Sequence, residues 1–215
     1  MLTRDEYLAA WSQWHGGTDP GANRLVHGWL SAAYALARPL AALPPIAATG
    51  FGLAVAASAV PTAVAGGRWL VLAGVLVGLS GLLDSLDGAL AITTGRASRR
   101  GFVLDSAVDR LTEVAYAAAL WVAGAPGWLA AAFGALCWLP DYLRARAGQA
   151  GVAETGAISV WERPTRVILA GFAVGGAGLV PDAAVAATGG AAAGCLLGVV
   201  GVAQLGVQLR RALAD

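Results

Sequence analysis

Read for its hydrophobic and polar positions, the chain changes character at residue 44. Beyond it, apolar stretches long enough to cross a bilayer, which takes about 20 residues of helix, recur six times between breaks of Gly, Pro or clustered charge. They fall near residues 45–65, 69–94, 102–123, 127–147, 161–180 and 183–208. The breaks after the first, third and fifth stretches are short: Ala65-Gly66-Gly67-Arg68, Gly124-Ala125-Pro126-Gly127 and Val180-Pro181-Asp182. Each has the composition of a tight turn. Before the first stretch, residues 22–42 set Leu25, Val26, Trp29, Leu30 and Leu36 among Asn23, Arg24, His27 and Arg38. That pattern suits an amphipathic helix lying in the membrane interface, with Tyr7, Trp11 and Trp14 available to help hold it there. Pro44-Pro45 separates this helix from the first long apolar stretch. The pattern predicts an all-α integral membrane protein: an N-terminal segment, residues 1–43, with a juxtamembrane interfacial helix, then a six-helix transmembrane domain, residues 44–215.

Composition agrees. Of the 215 residues 58% are hydrophobic, mean hydropathy is +0.67, and only 14 basic and 13 acidic residues are present. A soluble domain of this size needs more surface charge, so the bilayer is the expected solvent, and no nucleic-acid partner is expected. Thirty glycines fit helices packed closely through small residues. The first 20 residues carry Arg4, Asp5, Glu6, His15 and Asp19 without a continuous apolar run, and are not expected to be a cleaved signal peptide. The chain has no lysine. Apart from Arg68, at a short turn, and Arg110, the arginines gather before the first span, between the second and third, between the fourth and fifth, and after the sixth. The positive-inside rule then puts both termini and these connections in the cytoplasm. Cys137 and Cys195 lie in apolar stretches and read as small core residues. His15 and His27 have no partner at ligand spacing and read as surface residues.

Charge inside the apolar stretches carries the chemistry. Asp84-Ser85-Leu86-Asp87-Gly88-Ala89-Leu90-Ala91 closes the second span, and Gly101-Phe102-Val103-Leu104-Asp105-Ser106-Ala107-Val108-Asp109 opens the third. Spacings of three and four residues put each aspartate pair on one helical face, and the short connection lets the two pairs converge. Each aspartate near mid-membrane costs roughly 2.5 to 3.5 kcal/mol on insertion scales, so positive charge must compensate. Mg²⁺ or Mn²⁺, hard cations that prefer a few carboxylates plus substrate phosphates, meet that need and imply a phosphate-bearing substrate. Gly88, Ala91 and Gly101 leave room for a flat or bulky ligand beside the metal.

The arrangement D-x-x-D-G-x-x-A, nine residues, then G-x-x-x-D-x-x-x-D, running from Asp84 to Asp109, resembles the motif of the CDP-alcohol phosphotransferase family. Six spans, a cytoplasmic site on spans two and three, and an amphipathic helix before span one also resemble that family. The resemblance implies that Asp84, Asp87 and Asp105 hold the metal ions. Asp109 completes the metal-binding quartet and acts as the base that takes the proton of the acceptor hydroxyl. Thr49, Asp84, Gly88, Ala91, Gly101 and Asp105 would line the CDP site. It implies phospholipid synthesis by attack of an alcohol on the phosphorus remote from cytidine, with CMP leaving, and a homodimer. Two positions depart from the family pattern: Ile92 stands where an arginine is usual, with Arg96, Arg99, Arg100 and Arg110 as candidates to replace it, and Pro45-Ile46-Ala47-Ala48-Thr49 keeps the threonine of P-N-x-x-T without its asparagine.

A site at the bilayer edge suits CDP-diacylglycerol as donor, since its acyl chains stay in lipid. Arg144, Arg163, Arg166 and Arg211 fall on the aspartates' side of the membrane, where they either bind a phosphorylated acceptor or simply obey the positive-inside rule. The Glu162-Arg163-Pro164-Thr165-Arg166 setting resembles members of the family that accept inositol phosphate. Glycerol phosphate or another polyol is the alternative acceptor, and a non-catalytic relative or a metal transporter the alternative function. Glu113 stands one turn beyond Asp109, where it either tunes the site or pairs with Arg110. Gly194-x-x-x-Gly198 with Gly201 is a small-residue stripe for packing within the chain or across a dimer.

Overall fold

The computed structural model describes residues 1–14, 17, 19–22, 24–152 and 159–214, with the side chains of residues 22 and 25 set aside. His15 and Asn23 therefore lie outside the described residues. Within them the fold is helical throughout, with no strand. Two helices precede the proline pair, α1 (Arg4–Trp14) and α2 (Arg24–Ala37), joined by a 3-10 turn at Pro20–Ala22. Six more lie beyond it: α3 (Pro45–Val64), α4 (Trp69–Thr93), α5 (Arg99–Val122), α6 (Gly127–Gln149), α7 (Arg163–Ala177) and α8 (Ala183–Ala212).

Helices thus occur at all six expected positions, but only α3, α4 and α8 are long and apolar enough to cross a membrane on length and composition alone. The other three fall short for physical reasons. Ahead of its apolar end, α5 carries Arg99, Arg100, Asp105, Asp109, Arg110 and Glu113, and the C-terminal part of α6 carries Asp141, Arg144 and Arg146. Helix α7 has 15 residues, about 22 Å at 1.5 Å per residue, because Pro164 and its flanking loop set a late start.

The outward and inward faces are sorted by size. Ala56, Ala59, Ala73, Ala119, Ala170, Ala187 and Ala191 are buried, while Phe51, Val75, Trp121, Trp128, Phe172 and Leu196 are exposed. Small residues between helices and large apolar ones outside is the arrangement expected where lipid, not water, is the surrounding medium. Gly66 and Gly67 both take left-handed conformations, φ +67° and +52°, and so turn α3 back onto α4 without the strain a side chain would bring.

Close approach is most severe between α4 and α7. A Cβ on Gly74 would lie 2.5 Å from the Gly171 carbonyl oxygen and 2.6 Å from the backbone of Gly175, and one on Gly81 would lie 2.6 Å from Val167 Cγ1. Farther along the same antiparallel register, Asp84 meets Arg163. The glycine stripe of α8 is used inside the chain: Gly194 admits Phe133, Gly198 admits Leu136, and Gly201 admits Trp161. Trp161 is fully buried, packs edge-on against Phe133 at 5.6 Å, and donates its indole N–H to the Leu136 carbonyl at 3.1 Å. That carbonyl is free to accept because Pro140, four residues later inside α6, has no N–H to offer it.

The N-terminal helices grip the far side of α4. Tyr7, Leu30, Ala33 and Ala37 are buried with Leu86, Ala89 and Leu90, and Trp29 Nε1 donates to Ser85 Oγ at 3.1 Å. Leu2 N–H donates to the Thr93 carbonyl at 2.9 Å, so α1 and α2 form a collar around the end of α4.

Substituting Gly74 by Ala is expected to destabilise the protein by about 1–3 kcal/mol, since backbone atoms rather than a movable side chain block the methyl group. Gly78→Ala, whose added carbon meets nothing within 4 Å, should be nearly neutral. Thermal unfolding of the two variants in detergent checks this, and equal melting temperatures would show that α4 and α7 are not in close contact.

Candidate functional site

The end of α4 and the start of α5 form the two arms of the site. After Thr94, Gly95 (φ +66°) reverses the chain, and the N–H groups of Arg96 and Ala97 both donate to the Ala91 carbonyl, at 2.9 and 3.1 Å. Ser98 then caps α5 by accepting from Gly101 N–H at 3.0 Å, the N-cap geometry that starts a helix. A Cβ on Gly101 would stand 3.1 Å from that serine oxygen, so this glycine permits the tight cap. Gly88 is exposed and has open space around it.

This hairpin brings Asp84, Asp105 and Asp109 together: one carboxylate oxygen from each lies within 4.8 Å of the others. Asp87 is buried and lines, with Asp84, Thr49, Ser80, Thr112 and Arg163, the crevice beside them. Thr49, on α3, is buried and donates to the Pro45 carbonyl at 3.1 Å. Ser80 and Tyr116 join α4 to α5 below the crevice by a hydroxyl contact of 2.7 Å.

The donor set fits a hard divalent cation. All four side chains offer oxygen only, and Asp87 Oδ2 and Asp105 Oδ1 are buried without a hydrogen-bond donor. Buried acceptors left so are costly unless something else satisfies them, and three carboxylates at this separation match the few-ligand habit of Mg²⁺ or Mn²⁺.

The arginines divide into two groups. Arg163, in the first turn of α7, places Nη2 2.9 Å from Asp84 Oδ1 and Nη1 2.5 Å from Asp109 Oδ1, with Nη2 also 3.3 Å from Thr112 Oγ1. The other group belongs to a buried ionic cluster behind the aspartates. Arg166 is 1% exposed and donates to Glu113 and Asp141, each at 2.7 Å, and to the Trp161 carbonyl at 3.0 Å. Arg110 pairs with Asp141 at 2.5 Å and Glu113 at 3.1 Å, reaching Asp109 only at 3.9 Å. Arg144 holds Glu162 through two hydrogen bonds, 2.6 and 3.1 Å, and Asp141 at 3.4 Å. Glu162 also accepts from the backbone and hydroxyl of Ser159, both at 2.8 Å.

Of the four arginines expected on the acceptor side, Arg163 therefore sits in the aspartate cluster, Arg144 is held by Glu162, the residue before Arg163, and by Asp141, and Arg166 is sealed beneath. Arg211 is exposed in the last turn of α8. Ala91 and Ile92 are half-buried, and Ile92 packs against the cluster formed with α1 and α2. Among the candidates to replace the missing arginine, Arg96 donates to the Leu43 carbonyl at 3.1 Å, Arg99 and Arg100 are exposed at the start of α5, and Arg110 is held as described. Asp141 was not singled out from the sequence, and Glu162 entered there only as part of the setting around Arg163 and Arg166. The available signal was cost: an aspartate directly after Pro140 in an apolar stretch demands a partner, and Arg144 lies three residues on.

Comparison with known proteins places the chain in a family. The sequence profile of the CDP-alcohol phosphatidyltransferase family matches residues 42–200. The chain is 36% identical over 100 residues to the archaetidylinositol phosphate synthase of Pyrococcus horikoshii, covering 46% of this chain and 53% of that one. It is 38% identical over 104 residues to the protein of that name from Aeropyrum pernix, covering 46% and 54%. To the phosphatidylinositol phosphate synthase of Mycobacteroides abscessus it is 34% identical over 136 residues, covering 60% of each. The alignments thus span between half and three-fifths of these relatives. The profile match covers most of the chain, including both halves of the aspartate motif, and the chain belongs to the CDP-alcohol phosphatidyltransferase family.

Proposed function

We propose that this protein transfers a phosphatidyl group from a CDP-linked donor, CDP-diacylglycerol, to the hydroxyl of a phosphorylated polyol of the inositol phosphate kind, releasing CMP in phospholipid synthesis. The observation that carries the reading is the convergence of Asp84, Asp105 and Asp109, from two helices, to within one cation's reach. The names of the relatives, all synthases of inositol phosphate lipids, support the acceptor.

Asp84, Asp87, Asp105 and Asp109 hold Mg²⁺ or Mn²⁺, which when bound neutralises charge on the donor's pyrophosphate. Thr49, Gly88, Ala91 and Gly101 border the space for the cytidine and its phosphates, together with Asp84 and Asp105. Asp109 is the catalytic base: its carboxylate takes the proton from the acceptor hydroxyl, whose oxygen forms a bond to the phosphorus remote from cytidine while the bond from that phosphorus to CMP breaks. Arg144, Arg163 and Arg211 supply positive charge for the acceptor's phosphate, and Arg166 acts from beneath by fixing the start of α7. Six helices, α3 to α8, span the membrane with both termini cytoplasmic. Residues 1–43 lie in the interface as a collar on the catalytic domain, residues 44–215, and the protein works as a homodimer.

Purified protein in detergent, given CDP-diacylglycerol and inositol phosphate, is expected to release CMP only with Mg²⁺ or Mn²⁺ present. Asp109→Asn should reduce the rate by roughly 10²-fold or more, the usual contribution of a positioned base. Glycerol phosphate, free inositol and no acceptor serve as parallel arms. Release from glycerol phosphate alone would reassign the acceptor, and undiminished release by Asp109→Asn would remove the base from the mechanism. Metal uptake into liposomes without CMP release in any arm would make the protein a transporter.

Arg144→Gln is expected to raise the KM for the phosphorylated acceptor about tenfold, the loss of one charge-assisted contact, with the donor KM unchanged. Equal increases in both constants would instead place Arg144 in general maintenance of the fold.

A further inference from the structure

Arg163 differs from every other arginine near the site in what holds it. Arg110, Arg144 and Arg166 each pair with acids outside the aspartate quartet, namely Glu113, Asp141 and Glu162. Among the described residues, the carboxylates that Arg163 meets are Asp84 and Asp109 alone, and its Nε, although buried, has no hydrogen-bond partner. Among the described residues, the guanidinium is anchored to the cluster and to Thr112.

Its position competes with a metal ion. Asp84 and Asp109 are two of the three residues whose oxygens lie within one cation's reach, and Arg163 reaches one oxygen of each. A cation bound at the short distances of Mg²⁺ or Mn²⁺, about 2.0–2.2 Å, draws those oxygens toward itself and repels a guanidinium at hydrogen-bond distance from the same atoms. Meanwhile the stem of Arg163 is fixed. Its helix begins at the Glu162 cap, behind which Trp161 is locked under Gly201, and α7 cannot slide along α4 past the Gly74 and Gly171 contact. Only the guanidinium can move.

We infer that Arg163 is the resident counter-cation of the metal-free aspartate cluster, exchanged for the divalent ion on loading and thereby freed to meet the phosphate of the incoming acceptor. Loading with metal then prepares the acceptor side of the site, so the two substrates' subsites are linked through one side chain. The inference rests on the metal site proposed above and deepens it.

The test is Mn²⁺ binding by electron paramagnetic resonance and calorimetry, with thermal unfolding of the metal-free and Mn²⁺-loaded protein in detergent, without nucleotide or acceptor. Arg163→Gln is expected to bind Mn²⁺ roughly tenfold more tightly than the unsubstituted protein, because the competing charge is gone. It should melt lower when metal-free, its aspartates being uncompensated, and regain the unsubstituted melting temperature once loaded. Arg163→Lys keeps the charge but cannot straddle two carboxylates, and should fall between the two, which a purely long-range effect of charge would not produce. It also serves if the glutamine variant does not fold. Unchanged or weaker Mn²⁺ affinity, or an equal loss of stability with and without metal, would show that Arg163 stays in place and would overturn the exchange. Absence of Mn²⁺ binding by all three proteins would overturn the metal site itself, and the exchange with it.

Discussion

Four carboxylates gathered where α4 meets α5 must be matched by positive charge, and the rest of the bundle is arranged around that requirement. Asp84, Asp87, Asp105 and Asp109 stand where each unpaired charge is costly. The protein answers with two tiers of arginine. Behind the cluster, Arg166 and Arg110 are locked to Glu113 and Asp141 in a buried network. Removing one partner of a fully buried pair such as Arg166 and Glu113 typically costs about 3–5 kcal/mol, so the network acts as a fixed foundation. In front, among the described residues, Arg163 alone reaches across from Asp84 to Asp109.

Packing determines where these charges fall. Because α4 and α7 touch through glycine backbones, the first turn of α7 has one register along α4, the register in which Arg163 faces Asp84. The same turn is fixed from behind by Trp161, seated in the space of Gly201 and hydrogen-bonded to a carbonyl that Pro140 leaves without a donor. Three residues with no chemistry of their own, Gly74, Pro140 and Gly201, thus decide where the functional guanidinium sits. The N-terminal collar does the equivalent on the other side of α4, where Trp29 and the cluster around Leu30 hold the turn carrying Ser85 and Leu86.

Much of this was legible in the sequence because it is local. Helix periodicity, turn glycines and prolines, and the fixed spacing from Asp84 to Asp109 are properties of short segments, and they predicted the positions of α3 to α8 and, of the four aspartates expected to converge, the meeting of Asp84, Asp105 and Asp109. Membrane crossing was less legible: α5, α6 and α7 depart from the expected long apolar spans because they give part of their length to Arg110, Glu113, Asp141 and the proline-led start at Arg163. Of the ionic foundation, only the pairing of Arg110 with Glu113, three residues apart, was open to reading; Arg166 stands 53 and 25 residues from its partners Glu113 and Asp141. A buried Arg166 looks, in sequence, the same as an arginine facing the cytoplasm. Likewise the stripe at Gly194 and Gly198 announced close packing without naming its partner, which proves to be α6 of the same chain.

The central claim is that the aspartate cluster grips a CDP-linked pyrophosphate only by way of a divalent cation. Calorimetric titration of the purified protein with CDP, with and without Mn²⁺, tests it most directly. Saturable binding that requires Mn²⁺ and disappears in Asp105→Asn is the result expected. Binding of equal strength in the presence of a chelator, or retained in that variant, would contradict it.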